Sequence, residues 1–327
     1  MSATNSPSIS SDFFDSLIDD FGIWQHTDGH TPHGIHGYAL DDAARGLVAC
    51  LALGKLDQAE VLFSYLLQSR TRTEFYGFAR MDHSFFANPA SDDAKAQVVW
   101  AYGHALAYDF RAPEAASELA IIQPTIAAMP SLRGPAYALL GASYYDRDWA
   151  SALAAQVAGR FTDLQADWFW PESRMTYALG ILPYCLLRYE IVTHDSQYHE
   201  LARRILAFVE HVSTNDRPLG PVGNDGWYHK GVLVAPNYSQ QPIDAAYMIW
   251  AHMAAYQLSF DRRDLDRARR WMAWFDGDNI AGIRLWNPLN NQCYDGIDPF
   301  GINTDSGAET NICYLLSRWA IATQTTF

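Results

Sequence analysis

Carboxyl groups stand at the starts of several predicted helices in this 327-residue chain. These residues are Asp41, Asp42, Asp92, Asp93, Asp244, Asp305 and Glu309. Helix capping explains any one of them, because an acidic side chain in a first turn satisfies free backbone N–H groups. Where such helix starts surround one apolar cavity, the carboxyl groups cannot all ionise easily, so their pKa values separate. A neutral acid beside a carboxylate is the pair that cleaves a glycosidic bond.

Five carboxyl groups are the predicted catalytic residues: Asp42, Asp93, Glu172, Asp225 and Glu309. Glu172 follows Trp170 and Pro171, where desolvation is expected to raise its pKa and suit it to act as a general acid. The simpler interpretation of Glu172 is a helix-start carboxylate. Asp225 lies in GNDGWY, a glycine-flanked turn beside an aromatic ring, and its simpler interpretation is an Asx turn.

Aromatic and polar side chains crowd the segments around these acids. Sugars bind to flat apolar rings through their C–H faces and to polar side chains through their hydroxyl groups. We expect about half of the rings at most to face a ligand, because the others pack in the core. The predicted substrate-binding residues are His36, Tyr38, Asp41, Arg80, Trp170, Arg174, Asn224, Trp227, Tyr228, Gln240, Gln241 and Asn303.

The sequence predicts no metal and no cofactor. Four histidines cluster in one segment (His26, His30, His33 and His36), but their spacing matches no standard metal site. The cysteines Cys50, Cys185, Cys293 and Cys313 are too scattered for zinc-ligand spacing, and most of them fit apolar helical patterns. No phosphate-binding glycine motif and no serine nucleophile motif is present.

The elements that must position these residues are helices. Apolar residues recur at helical spacing in twelve segments, and no stretch alternates as a half-buried strand does. Segments that are apolar on all sides alternate with segments that carry one charged face, which indicates inner and outer helices. Six such hairpins closed into a ring form an all-α (α/α)6 barrel. The predicted helices are 11–22, 40–54, 56–69, 92–108, 114–128, 133–145, 148–165, 176–192, 197–213, 242–258, 262–275 and 306–323.

The links between the helices differ in length. Links from an inner helix to its outer partner are short, whereas links that lead into inner helices are long and rich in glycine, aromatic and polar residues. Because helix direction alternates around a ring, all the long loops emerge at one face, where ordered loops usually carry function. We predict a disordered tail over 1–10 and one barrel domain over 11–327.

Composition narrows the classes of partner. The formal net charge is -14, and an acidic surface repels phosphate backbones and anionic lipids, so nucleic acid and membrane surfaces are not expected partners. No basic and apolar leader and no apolar stretch of membrane-spanning length is present, so the expected location is the cytoplasm. The sequence does not determine the oligomeric state.

Six motifs together resemble a bacterial group of six-hairpin, glycosidase-like proteins, whose members occur alone or as a C-terminal extension of glycosyltransferase-like chains. The motifs are HGIHGYALDDAARGL, SDDAKAQVVWAYG, DWFWPESRMTYALGILPYCLL, GPVGNDGWYHKG, SQQPIDAAYMIWA and FGINTDSGAETNICYLL. The resemblance covers roughly residues 25 to 323. The resemblance implies the (α/α)6 fold and a carbohydrate ligand, with mannosides among the candidates. The chain departs from the family pattern at Ala43, Asp92 and Lys95.

A glycoside hydrolase that acts on a small oligosaccharide or glycoside is the leading hypothesis, with carboxylates as general acid and base. A sugar isomerase or epimerase is the second, with proton transfer by His33, His36, His104 or His229. The third is a non-catalytic carbohydrate-binding module. The fourth is a glycoside phosphorylase, for which Arg80, Arg174 and Lys230 are the candidate phosphate ligands.

Overall fold

The computed structural model describes residues 9–72, 74–126, 129–214 and 218–327. Within these ranges the chain forms twelve α-helices. They are α1 (Asp12–Ser16), α2 (Leu40–Leu53), α3 (Leu56–Ser69), α4 (Asp92–Ala107), α5 (Ala112–Ile126), α6 (Gly134–Ala142), α7 (Arg147–Gly159), α8 (Ile181–Thr193), α9 (His199–Thr214), α10 (Pro242–Ser259), α11 (Arg262–Asp276) and α12 (Ala308–Thr323). Most of the tail predicted to be disordered, residues 1–8, lies outside the described residues.

The even-numbered helices form a closed inner ring. Each packs against the next in the order α2, α4, α6, α8, α10 and α12, and α12 packs back against α2. All nine residues of α6 are buried, and α4 and α10 are buried over most of their length. The odd-numbered helices lie outside this ring, where α9 and α11 bury one face only. The structure confirms the predicted all-α (α/α)6 barrel.

Three predicted helices are clearly shorter than expected: the one predicted over 148–165 ends at Gly159, and two others depart for reasons that the structure shows. The segment 11–22 is helical only through Ser16, because the Asp19 side chain accepts the N–H groups of Phe21 and Gly22 at 2.9 Å and turns the chain back. The helix predicted from 176 begins at Ile181, because Ala178 has a left-handed backbone with φ 49°. Both departures come from side-chain or backbone geometry that helical periodicity does not report.

Short antiparallel strand pairs join the loops over one end of the ring. Within the described residues there are eight strands of two or three residues each. They are β1 (Thr27–Asp28), β2 (Thr31–Pro32), β3 (Tyr38–Ala39), β4 (Phe78–Ala79), β5 (Arg174–Met175), β6 (Tyr228–His229), β7 (Gly296–Asp298) and β8 (Gly301–Asn303). The pairs β3–β4 and β5–β6 each join two loops that are distant in sequence, and the bridge from Gln240 to Ile297 joins two more. The long loops therefore meet at the face where the inner helices begin, as predicted.

Candidate active site

A central cavity of about 340 Å³ opens among the N-terminal ends of α2, α10 and α12. Its walls come from those helix starts and from the loops before α2 and α12. Five carboxyl groups line it: Asp41, Asp42, Asp295, Asp305 and Glu309. Gln241 and Asn303 line it as well, so five of the residues predicted from the sequence meet in this one cavity. Helix N-termini point free N–H groups at the same space, which stabilises negative charge there.

Arg45 organises three of these carboxylates. It lies on α2 one turn after the Asp41–Asp42 pair and is only 1% exposed. Its Nη2 donates to Asp41 Oδ2 and to Asp42 Oδ1, each at 3.1 Å, and its Nη1 donates to Glu309 of α12. Because a guanidinium presents its donors in a rigid fork, one buried cation fixes acids from two neighbouring inner helices.

Asp42 is a buried carboxyl group whose pKa is raised, which favours its protonated form. It is 4% exposed yet lines the cavity. Burial raises the pKa of Asp42 well above its ordinary value, and the charge of Asp41 raises it further, whereas Arg45 lowers it. Glu309 and Asp295 add smaller upward contributions to the pKa. Asp41 and Glu309 are about one third exposed at their side chains, so a buried acid and two wetter carboxylates share one cation.

A second polar cluster surrounds Asp93 at the start of α4. Ser131 donates to Asp93 Oδ1 at 2.9 Å, and the Tyr177 hydroxyl donates to Asp93 Oδ2 at 2.6 Å. The guanidinium of Arg133 lies 4.2 Å from the centre of the Tyr177 ring. Asp93 therefore accepts a hydrogen bond from Tyr177 of the loop before α8, and Arg133 at the start of α6 lies over the ring of that tyrosine.

Two buried residues lie between the clusters. Asp244, at the start of α10, accepts the Leu179 N–H at 3.3 Å and has electrostatic interactions with both Arg133 and Glu309. Burial raises the pKa of Asp244 to about 7. Tyr137 of α6 feels the charges of Arg45, Asp93 and Glu309. Both residues therefore lie within electrostatic range of the Arg45 cluster and of the Asp93 cluster.

A second site adjoins the central cavity at its rim. His26, His33 and His36 line a second cavity of about 400 Å³, which shares His26 and Asp305 with the central one. The rings of His26 and His36 are 4.9 Å apart, and those of His33 and His36 are 5.3 Å apart. Among the described residues, no group of three or more His, Cys, Asp or Glu side chains is arranged to hold a metal ion.

Comparison with known proteins gives the fold. No protein-family model and no curated protein sequence matches the chain. Among solved structures, it is similar to a D-mannose isomerase (13% identity, TM-score 0.71, covering 96% of this chain and 94% of that chain). It is also similar to the cellobiose 2-epimerase from Bacillus thermoamylovorans (12%, 0.74, 95% of each chain) and to a GH76 α-mannanase from Bacteroides thetaiotaomicron (14%, 0.59, 95% and 93%).

The fold is the six-hairpin toroid. At these identities the similarity shows the architecture, and one architecture hosts different chemistries. The neighbours of this toroid include both sugar-isomerising and sugar-hydrolysing enzymes, so the reaction has to be inferred from the site itself.

Most other residues predicted from the sequence lie around the mouth of the toroid, outside the central cavity. Asn224 donates to Gln241 at 2.7 Å and so touches the cavity wall. Glu172 approaches Arg133 at 3.9 Å, while Asp225 is exposed on its loop. Arg174 lies 4.2 Å from the centre of the Trp227 ring, and Arg80 lies 3.9 Å from the centre of the Phe86 ring. The Tyr228 and Trp168 rings are 5.3 Å apart, and His36 lines the rim cavity.

Three predicted substrate contacts are buried in the toroid wall. Tyr38 is 1% exposed and donates to Asp19, Trp170 is 1% exposed, and Gln240 accepts the Trp274 indole N–H at 2.8 Å. These side chains pack the base of the loops and are not placed to contact a ligand in the cavity. The sequence prediction selected them because aromatic and amide side chains look alike whether they pack or bind.

Sequence reasoning missed several residues of the cleft. Arg45 carried a usable signal, because a charged residue one turn after an Asp pair interrupts an otherwise apolar inner helix. Tyr177 and Arg133 carried no such sequence signal, since both lie in segments that are typical of helix starts. Asp295 lies in a long loop, where only the tertiary structure shows which side chains face inward. Asp305, which the sequence indicated as a helix-start carboxylate, lines the same cavity.

Proposed function

We propose that this protein is a glycoside hydrolase that acts on a small oligosaccharide or glycoside, with mannosides among the candidate substrates. The observation that carries the proposal is the pairing of Asp42 and Glu309 across Arg45 in one cavity. Asp42 is buried with a raised pKa, and Glu309 is more exposed and ion-paired. This asymmetry supplies one proton donor and one carboxylate, which is what hydrolysis of a glycosidic bond needs.

The two carboxyl groups divide the reaction between them. Asp42 gives its proton to the oxygen of the leaving group as the bond from that oxygen to the anomeric carbon breaks. Glu309 acts at the anomeric carbon, either by taking a proton from the attacking water or by attacking first as the nucleophile. Arg45 holds both groups in place and limits their mutual repulsion.

A product assay tests the proposal. The purified protein is incubated with α- and β-linked disaccharides and aryl glycosides of mannose and glucose, with and without phosphate, and products are followed by NMR. We expect a reducing sugar without phosphate, and losses of at least about a hundredfold in Asp42→Asn and Glu309→Gln. The matched control is Asp57→Asn, because Asp57 is an exposed first-turn carboxylate of the outer helix α3.

The same assay separates the alternatives. Full turnover by both cavity variants would overturn the assignment of Asp42 and Glu309. A sugar phosphate formed only with phosphate would identify a phosphorylase, and sugar binding without any product would identify a binding module. Substitution of Asp93, Glu172 and Asp225 in the same screen tests the other three carboxyl groups predicted to be catalytic.

A sugar isomerase or epimerase is the second candidate, because the rim cavity brings His26, His33 and His36 beside the acidic cleft. Histidines within reach of a sugar carbon can remove and return a proton there. Of the other histidines considered, His104 is buried at the opposite end of α4, where burial lowers its pKa to about 3, and His229 is exposed in β6.

Proton exchange distinguishes this candidate from the hydrolase. D-mannose or cellobiose is incubated with the protein in D2O, and the C2 proton is followed by NMR. An isomerase or epimerase replaces that proton with deuterium and loses the exchange in His33→Ala and His36→Ala. A hydrolase leaves the C2 proton in place while it releases a new reducing end.

A further inference from the structure

We propose that Tyr177, Asp93 and Arg133 form a second sugar subsite, so that the substrate spans at least two sugar units from the Arg45 cluster to the Tyr177 ring. This inference rests on the proposed hydrolase function and deepens it by naming the substrate class. Neither Tyr177 nor Arg133 belongs to the acid pair that carries the hydrolytic chemistry.

Tyr177 is partly exposed, and Arg133 fixes its position. Its side chain is 41% exposed, although the backbone around it is fixed. Arg133, itself 5% exposed, donates from Nε to the Tyr177 carbonyl at 2.7 Å and from Nη2 to Thr176 Oγ1 at 2.8 Å. Because the guanidinium covers one face of the ring at 4.2 Å, the exposed part is left for another flat partner.

Asp93 supplies the polar half of the subsite. Both of its oxygens already accept one hydroxyl, from Ser131 and from Tyr177, and these bonds fix its orientation. A carboxylate oxygen has a further lone pair, so Asp93 can also accept a sugar hydroxyl. An aromatic face beside an oriented carboxylate matches the C–H face and the hydroxyl edge of one sugar ring.

The backbone beside Tyr177 is strained. Ala178 has φ 49°, a left-handed conformation that non-glycine residues adopt rarely. Asp244 holds this turn by accepting the next N–H, from Leu179, at 3.3 Å. Strain of this kind persists where the surroundings fix it and is concentrated at positions that contact ligands.

Asp244 provides an independent sign of a ligand. The residue is 4% exposed, and its Oδ2, although the Ala178 N–H lies nearby, has no hydrogen-bond partner of good geometry. A buried polar atom of this kind is costly unless something pairs with it. Because Asp244 lies in the first turn of α10, next to the cavity-lining Gln241 and Pro242, a substrate that joins the two clusters can offer it a hydroxyl.

Calorimetric binding of a two-sugar and a one-sugar probe tests the subsite. The probes are α-linked mannobiose and methyl α-mannoside, and all variants carry Asp42→Asn so that neither probe is turned over. We expect Tyr177→Ala to weaken mannobiose binding about tenfold and to leave methyl mannoside binding unchanged. Tyr177→Phe keeps the ring and is expected to retain most of the affinity for mannobiose. The matched control is Tyr108→Ala, because Tyr108 is 43% exposed at the opposite end of α4.

Each outcome decides the question. Equal mannobiose binding in Tyr177→Ala and in the parent chain overturns the subsite, as does equal weakening for both probes. If mannobiose does not bind, cellobiose and maltose are compared with methyl glucosides in the same way, and failure of all three disaccharides to bind also overturns it. A disaccharide that binds through Tyr177 but is not cleaved by the wild-type chain sinks the hydrolase proposal and leaves the subsite in place. Cleavage of the disaccharide at an unchanged KM by a chain that carries Tyr177→Ala and keeps Asp42 supports the hydrolase proposal and overturns the subsite.

Discussion

At the scale of the residue, the cleft depends on a buried cation shared by unequal acids. Arg45 is expensive to bury, and three carboxylates offset that cost. The acids differ in exposure: burial raises the pKa of Asp42, while Asp41 and Glu309 meet solvent. A single ion-pair cluster can therefore contain a proton donor and a carboxylate at the same pH.

The pH profile of hydrolysis tests the role of Asp42. A general acid must be protonated, so activity is expected to fall as pH rises through the raised pKa of Asp42. After burial, the charge of Asp41 is the next largest cause of that shift. We therefore expect Asp41→Asn to move the alkaline limb of kcat/KM to lower pH. An unmoved limb, or the same movement in Asp57→Asn, would contradict this role.

The stability of the protein tests the burial of Asp244. Its folded pKa of about 7 exceeds the unfolded value of about 4, so between these pH values the folded state binds more protons. The free energy of unfolding then decreases as pH rises from about 4 to about 7, and this contribution is lost in Asp244→Asn. Urea titrations are expected to show the variant gaining about 1 kcal/mol or more relative to wild type over that range. A difference that does not change with pH would show that Asp244 is not desolvated.

At the scale of the element, the inner helices are predictable because burial on all sides leaves a clear composition. The helix predicted over 242–258 is Pro242–Ser259 in the structure, and the one predicted over 40–54 is Leu40–Leu53. Two of the shortened helices fail for local reasons, an Asx turn at Asp19 and a left-handed residue at Ala178. Small residues on the inner helices also set how closely the helices approach, which periodicity alone does not report.

A glycine contact between α4 and α6 gives a test at this scale. A Cβ on Gly103 would lie 2.3 Å from the Cα of Gly141, and backbone cannot move aside as a side chain can. We expect Gly103→Ala to lower the free energy of unfolding by about 2 kcal/mol or more. The control is Gly159→Ala at the end of α7, where an added Cβ meets nothing within 4 Å. That variant is expected to be neutral or to gain up to about 1 kcal/mol. Equal unfolding midpoints for the two variants would disprove the close contact.

At the scale of the whole molecule, the end of the ring opposite the cleft is closed by an aromatic plug. Phe327 is 2% exposed and packs its ring 4.8 Å from Trp250, 6.0 Å from Trp100 and 6.2 Å from Tyr184. The Tyr184 hydroxyl donates to the Phe327 carbonyl at 2.8 Å. One side chain thus ties α4, α8 and α10 together across the axis of the toroid.

Removal of this ring is expected to weaken the whole toroid. Phe327→Ala should lower the free energy of unfolding by about 3–5 kcal/mol, because the cavity left between three inner helices cannot collapse easily. Phe300→Ala is the control, since Phe300 is fully exposed at 102%, and its effect should stay within about 0.5 kcal/mol. Denaturant titration measures both. A loss no larger than that of the control would show that the plug does not contribute to ring stability.

Among the described residues, no helix is long and apolar enough to cross a bilayer. The prediction of a cytoplasmic location remains a prediction.

The sequence by itself determined the architecture and the face that carries the cleft. Helices that are apolar on all sides alternate along the chain with helices that carry one charged face, which indicates an inner and an outer ring. In a closed ring of this kind the long loops all lie at one end. It also pointed to the Asp41–Asp42 pair and to Glu309, since helix starts converge in a ring. Only the tertiary structure decided which acids meet. Arg45 pairs with Asp42 and with Glu309 of a distant helix, while Asp93 accepts a hydrogen bond from Tyr177. The partners that stabilise a buried charge or a strained backbone come from distant parts of the chain, so the sequence alone does not identify them.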